Sequence, residues 1–380
     1  EMDRVGIGII GCGNISDAYL VGTLRSPYLS VEGVADIVPE AAAAKAGDHG
    51  VAARPIDDLL ADPSVEIVVN LTVPLAHGEV SHRILDAGKH VYSEKPLAAT
   101  FSEANDLMAR AEAAGLRVGC APDTFFGAAH QTARRAVEDG RIGRPVGGAA
   151  AFITPGMEHW HPSPAFLFRQ GGGPVLDAGP YLVTQLVNLL GPVEAVVAGG
   201  SRGRDRRTIT SEPRYGEQIE VEVDTTVNAI LAFTGGANVA LTVSWDVVDS
   251  IRPPIEVYGV EGALRTASPN WFGGEVLVSR GAGEWEPVDT GGFAFGEINR
   301  EPRPGVIVAD YRGIGIVDLA LAIRSGRPHR ASGALALHVL EVLEGIAAAA
   351  ADGRRVGMST TCERPAPVPA GNGERVLERT

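Results

Sequence analysis

Hydrophobic and polar positions divide this chain into two stretches with different grammars. Over residues 1–122, short apolar runs alternate with segments of helical period. Residues 5–10 read as a buried strand, 15–24 as a helix behind a glycine turn, and 31–35 as a second strand running into Asp36. An alanine-rich helix follows at 39–46, a short helix begins at 57–60, and 65–71 is a strongly apolar strand. A helix at 76–87 closes at Gly88, a strand fills 90–93, a helix at 100–114 closes at Gly115, and 116–120 is one more strand. Strands separated by helices of this length predict βαβ units and a parallel sheet.

Beyond residue 122 the alternation stops. A helix is expected at 131–138, then a long Pro/Gly-rich loop at 154–174, then a helix at 181–190. Loops of that length in compact domains usually carry function. Residues 193–279 are mostly strand-like, with turns at Gly199-Gly200, Gly235-Gly236 and Glu261-Gly262, which suits a largely antiparallel sheet. Helices at 314–323 and 334–351 and an extended proline-rich tail at 361–369 complete the chain. The expected fold class is therefore α/β. An N-terminal Rossmann parallel sheet occupies 1–122, and a C-terminal α/β domain with a large, mainly antiparallel open sheet occupies 123–380.

Composition narrows the partners. Acidic residues outnumber basic ones 47 to 33, for a net charge of −14. No Lys/Arg block forms a basic stripe, so neither nucleic acid nor an anionic membrane surface is an expected partner. No apolar run reaches the length of a membrane span, and the first residues pass at once into a strand pattern, so no leader peptide is expected. The three cysteines are too scattered for a disulfide framework or a zinc site, which fits a reducing, cytoplasmic setting. The 48 glycines show no collagen period and should mark tight turns and close backbone approaches.

Chemistry enters at Gly11-Cys12-Gly13-Asn14-Ile15-Ser16, between the first strand and the first helix. Gly11 would make the tight turn, and Gly13 would let a pyrophosphate approach the helix N-terminus. Asn14 and Ile15 complete that loop. Asp36, 25 residues after Gly11, would accept hydrogen bonds from ribose hydroxyls and repel a 2′-phosphate. No arginine follows it, so the expected cofactor is NAD. Thr72, Val73 and Pro74 end a strand where open α/β sheets bind ligands. His77, on the next first turn, reads either as a cofactor-side residue or as a packing histidine. Glu94-Lys95-Pro96 follows another strand. Lys95 would project into the cleft, where desolvation would draw it towards general-base range; alone, a Glu-Lys pair is more often a surface ion pair.

Together, the Gly11–Ser16 loop, Asp36, Thr72-Val73-Pro74 with His77, Glu94-Lys95-Pro96-Leu97 and the run Gly171–Tyr181 resemble the Gfo/Idh/MocA family of sugar and cyclitol dehydrogenases. The resemblance covers essentially the whole chain and is most specific in its first 190 residues. It implies a Rossmann domain, a second domain whose sheet forms a dimer or tetramer interface, cofactor contacts at Glu94 and Lys95, and a catalytic or substrate-orienting role for Lys95. In this sequence Asp177 and Gly179 match the family's second motif. Tyr181 stands where a proton-accepting histidine is usual, and Thr184 where an aspartate follows. Pro122-Asp123-Thr124 also departs from the usual Asn-Arg-Arg.

Tyr181 is therefore an acid/base partner, a substrate hydrogen-bonder or a packing residue. His161 and His159, either side of Trp160 in the long loop, are rival proton carriers and sugar contacts, and Arg169 is a candidate for a substrate anion. No separated third ligand accompanies the two histidines, so no metal is expected. The arginines of 202–207 and the Tyr311-Arg312-Gly313 turn read as solvated or structural. The expected activity is NAD-dependent hydride transfer at a secondary alcohol of a sugar, glycoside or cyclitol, by a homodimer or homotetramer. The alternatives are glycoside hydrolysis through transient oxidation and a non-catalytic NAD or sugar sensor.

Overall fold

The computed structural model describes residues 3–379; Glu1 and Met2, where the expectation of no leader peptide begins, lie outside them. Every residue of β1 (Val5–Ile10) is buried, as its unbroken apolar run requires of a strand covered on both faces. It sits inside a parallel sheet with β2 (Leu29–Ala35) on one side and β3 (Ile67–Asn70), β4 (His90–Ser93) and β5 (Val118–Cys120) on the other, in the order β2-β1-β3-β4-β5. Helices α1 (Ser16–Arg25), α2 (Pro39–His49), α3 (Ile56–Ala61), α4 (His77–Asp86) and α5 (Phe101–Ala113) make the crossovers. The register aligns Ile10 with Asn70 and Asn70 with Ser93. Three loops, beginning at Gly11, Leu71 and Glu94, therefore leave the sheet side by side at its C-terminal edge.

The second unit begins with α6 (Ala128–Glu138) and β6 (Pro145–Ile153). After α7 (Pro174–Leu190) come β7 (Val193–Ser201), the small hairpin β8 (Arg206–Thr208) and β9 (Gln218–Glu220), β10 (Thr226–Phe233), β11 (Asn238–Ser244), β12 (Ile255–Gly259), β13 (Ala263–Thr266), β14 (Leu277–Ser279) and β15 (Glu286–Pro287). The hairpin β16 (Arg300–Arg303) and β17 (Val306–Val308) follows, then α8 (Ile314–Ser325), α9 (Gly333–Asp352) and β18 (Val356–Gly357). Nine strands form one sheet in the order β15-β14-β13-β12-β6-β11-β10-β7-β18, antiparallel except where β6 meets β11. Alternate residues Val227, Ala229, Leu231 and Phe233 of β10, with Val239, Leu241 and Val243 of β11, are buried on the face that α7 and α9 cover.

Three expectations change. The helix expected at 181–190 starts seven residues earlier, at Pro174. Pro174 stands in its first turn, where a missing N–H costs nothing, and Pro180 is tolerated near that end. Helix α8, which the sequence assigns with the second unit, lies against α1 and β5 of the first. Its Arg324 pairs with Glu66 at 2.5 Å. Finally, α9 is long and apolar enough by composition to cross a membrane, contrary to the reading of apolar runs. Half of it is buried here, against β7, α7 and α5.

Candidate active site

At the cofactor end, Gly11 has φ +104°. A Cβ there would lie 2.5 Å from the backbone of Leu71, so only glycine allows β1 and β3 to approach so closely. Gly13 differs: no atom lies within 4 Å of where its Cβ would point. The space before the α1 N-terminus is left clear, as a pyrophosphate would need. Ser16 closes the loop by donating to the Gly13 carbonyl at 2.6 Å. Asn14 is exposed at the loop tip and Ile15 half-buried behind it. Asp36 accepts from the Cys12 N–H at 2.7 Å and the Val38 N–H at 2.9 Å, which ties the glycine loop to the end of β2. Ile37 beside it is 86% exposed, an apolar surface suited to an adenine and lacking the cation a 2′-phosphate would require.

Neighbouring loops are held by buried polar groups. Thr72 donates to Asn70 Oδ1 at 2.6 Å, and Pro74 opens a short 3₁₀ turn, Pro74–Ala76. His77 is fully buried, its ring nitrogens facing the carbonyls of Pro96 at 2.5 Å and Thr72 at 2.9 Å. It joins the two loops from below and offers no ring nitrogen to a cofactor, which corrects the cofactor-side reading. Glu94 is likewise engaged within the protein: one oxygen accepts from the Tyr19 hydroxyl at 2.7 Å and the other from the Lys95 N–H at 2.9 Å. The Lys95–Pro96 peptide is cis.

Across the cleft, Asp177 and Tyr181 stand four residues apart on α7 and so share one face. The Lys95 ammonium, brought over from the first unit, donates to the Asp177 carbonyl at 2.8 Å and to its carboxylate at 3.1 Å. It lies 5.2 Å from the centre of the Tyr181 ring. Burial works against its charge, but Asp177, Tyr181 and Glu94 outweigh burial and hold Lys95 above the ordinary lysine range. The expected drift towards general-base range is overturned: Lys95 is a fixed cation and donor.

His161 faces the same group. Burial lowers its proton affinity, partly opposed by the Asp177 carboxylate. Its Nδ1 accepts from the Ser163 N–H at 3.0 Å. Trp160, 48% exposed, meets His161 edge-on at 5.6 Å, and Arg303 lies 5.4 Å over the Trp160 ring. His159 points elsewhere, bonding the Thr210 hydroxyl at 2.8 Å and approaching Glu158 at 3.6 Å. Arg169 is exposed and, among the described residues, forms no ion pair. No group of His, Cys, Asp or Glu among the described residues could hold a metal ion.

Sequence reasoning passed over two arginines. Arg207, expected in a solvated run, is buried, donating to Glu158 at 2.7 Å and to the Trp245 carbonyl at 2.8 Å and pairing with Asp246. It clamps the base of the loop that carries Trp160 and His161. Arg312, expected to be structural, is buried; burial works against its charge, but Tyr181, Asp310 and Glu94 outweigh it and hold the guanidinium charged. It donates to Asp310 at 2.9 Å and to the Asn270 carbonyl at 3.1 Å and side chain at 3.0 Å. No local pattern marks either one: the partners of Arg207, and Asn270 beside Arg312, are distant in sequence.

Two family models match consecutive parts of the chain. Residues 5–121 match an oxidoreductase family with an NAD-binding Rossmann fold, and residues 130–265 match the GFO/IDH/MocA C-terminal domain, together well over half of the chain. The chain belongs to the Gfo/Idh/MocA oxidoreductase family. Among curated relatives, this family member is 30% identical to a 1,5-anhydro-D-fructose reductase from Ensifer adhaerens over 53% of its own length and 62% of the relative's. It is 31% identical to dTDP-3,4-didehydro-2,6-dideoxy-alpha-D-glucose 3-reductase from Streptomyces antibioticus over 54% and 62%. The matched region thus spans less than two thirds of these relatives. A solved levoglucosan dehydrogenase, in complex with NADH and L-sorbose, shares the fold at 21% identity, covering 94% of this chain and all of its own, with a TM-score of 0.75.

Proposed function

We propose that this Gfo/Idh/MocA oxidoreductase transfers hydride between NAD and a secondary alcohol of a sugar, glycoside or cyclitol. The observation that carries the reading is the Lys95–Asp177–Tyr181 group, whose lysine leaves the same C-terminal edge of the parallel sheet as a glycine loop with open space at Gly13. Gly11, Gly13 and the first turn of α1 would hold the pyrophosphate, and Asp36 the adenosine ribose. NAD, when bound, supplies the hydride acceptor. The sugar reductases among the relatives and the half-exposed Trp160 face support a sugar-like substrate.

The protein's own groups divide the proton work. An ammonium has three donors, and Asp177 takes two of those on Lys95, leaving one for a substrate oxygen. Held as a cation, Lys95 cannot also accept a proton. A neutral His161 whose Nδ1 accepts a backbone N–H carries its proton on Nε2, so it meets the cleft as a donor. Tyr181 is left as the group that takes the alcohol proton and returns it in the reverse direction.

The test is a panel of sugars, glycosides and inositols with NAD, followed by NADH absorbance. Turnover of at least one polyol, abolished by Lys95→Met, is expected. No turnover on any polyol sinks the proposal, and release of an aryl aglycone without net NADH would replace it with redox-assisted hydrolysis. We further assign the uncovered sheet face, where Val197 and Ile230 pair outward on neighbouring strands, to self-association as a homodimer or homotetramer. Sedimentation as a monomer at working concentration would remove that assignment.

A further inference from the structure

One charge sits deep beneath the loop that leads into α7. Arg207, on β8, exposes none of its side chain and bonds four groups on two other segments. Its Nη1 donates to Glu158 at 2.7 Å and to the Pro155 carbonyl at 3.1 Å, at the near end of the loop. Its Nη2 donates to the Trp245 carbonyl at 2.8 Å and pairs with Asp246, which also accepts the Thr225 and Thr226 hydroxyls at 2.6 and 2.7 Å. The same guanidinium lies 5.1 Å over the Phe168 ring, at the far end of the loop. One side chain thus holds both ends. Its hairpin adds backbone ties, from the Thr210 N–H to the Glu158 carbonyl at 2.9 Å and, just past β9, from the Glu222 N–H to the Phe168 carbonyl at 2.8 Å. A Cβ at Gly156, where φ is +135°, would run into both the Glu158 carboxylate and Arg207 Nη1, so the loop enters this seat only with glycine there.

What this seat holds reaches the site from both ends. Trp160 and His161 follow Glu158 almost directly. Beside Phe168, the Leu167 carbonyl accepts the Gly173 N–H at 2.7 Å, and the Gly173 carbonyl accepts the Asp177 N–H at 3.1 Å, so the first turn of α7 hangs from the loop. We propose that Arg207 is a positioning residue for substrate recognition: it holds residues 154–173 as one piece, so that Trp160 and His161 keep a fixed place relative to Asp177 and its Lys95. This rests on the reading of the site as one for a polyol. A surface arginine would tolerate replacement by methionine. Here the loss strands the carboxylates of Glu158 and Asp246, the first of them buried, and they regain water only if the loop lifts.

Hydrogen exchange read by peptide mass tests the seat with neither cofactor nor substrate. In Arg207→Met the amides of 157–173 should exchange faster by about tenfold or more, while those of 67–93 in the parallel sheet keep their rates. Glu158→Gln, which keeps the shape and drops one charge, and Gly156→Ala, which pushes Glu158 and Arg207 apart, should show the same contrast more weakly; they carry the test if Arg207→Met does not fold. With a polyol in hand, Glu158→Gln should raise its KM by about tenfold while kcat stays within about threefold and NAD affinity holds. A residue needed only for folding would lower the active fraction, and with it kcat, and leave KM alone. Arg207→Lys should bring KM part of the way back from its value in Arg207→Met. Unchanged exchange over 157–173 in both Glu158→Gln and Gly156→Ala overturns the proposal, as does a fall in kcat at constant KM. If the wild type turns over no polyol, the functional reading fails and the exchange contrast alone decides the seat.

Discussion

The NAD end and the substrate end of this cleft are furnished differently. At the NAD end the working parts are backbone: a glycine at φ +104°, a second glycine facing open space, and a helix N-terminus, steadied by Asp36 on two N–H groups. At the proposed substrate end they are charged side chains brought together by the fold, with Lys95 on Asp177 and 5.2 Å from the centre of the Tyr181 ring. A pyrophosphate is recognised by shape and partial charge, so a local loop suffices. An alcohol losing a proton needs full charges at fixed distances in a dry site, and those are gathered by tertiary folding.

Replacing a charge at the substrate end should cost most. Lys95→Met removes the donor and cation proposed to hold the substrate oxygen, so kcat should fall by about 10³-fold or more while NAD affinity, read by fluorescence titration, changes little. Tyr181→Phe should lose about 10²–10⁴-fold in kcat. His161→Asn, which keeps a donor, should lose less than about tenfold; a loss equal to that of Tyr181→Phe would make His161 the proton carrier instead.

Smaller effects should separate the two ends further. Gly11→Ala places a side chain against Leu71 at a forbidden φ and should destabilise by about 1–3 kcal/mol in chemical denaturation. Gly13→Ala meets nothing in the protein. Its melting temperature should hold while NAD affinity weakens by about tenfold, because the methyl enters the space kept for phosphate. Equal effects of the two substitutions on stability would erase the distinction drawn between them.

The smallest signal is a pH dependence. Burial raises Asp123 to about 6, against an ordinary value of 3.8, although the Gly315 and Gly313 N–H groups and Arg312 favour its charge. Glu94 and the hydroxyls of Tyr19 and Tyr92 face the same space. Between those two values the folded protein holds a proton that the unfolded chain has released, so this group's contribution to stability falls as pH rises through that window. Asp123→Asn cannot titrate, and its stability should decline less between pH 4 and 6, by about 1–3 kcal/mol. Parallel stability profiles for the two proteins would remove Asp123 from the account.

What could be read from the sequence follows the same division. The glycine loop, Asp36 and the parallel sheet were legible because each is a local pattern imposed by βα geometry. Lys95 and Asp177 were each legible from their own motifs, and the fold brings them into contact from 82 residues apart. The start of α7 was hidden by Pro180, which reads as a helix breaker until Pro174 shows where the first turn lies. His77 reads as a ligand or a packing residue until two backbone carbonyls are seen to use both its nitrogens. Arg207 sits in a run of arginines that looks solvated, and only folding brings Glu158 and Asp246 to it.

The contact between Lys95 and Asp177 is also a seam. One residue belongs to the parallel sheet and the other to the helix that covers the large mixed sheet, and they meet nowhere else in the chain's order. Competence for catalysis therefore reports that both halves have folded and docked.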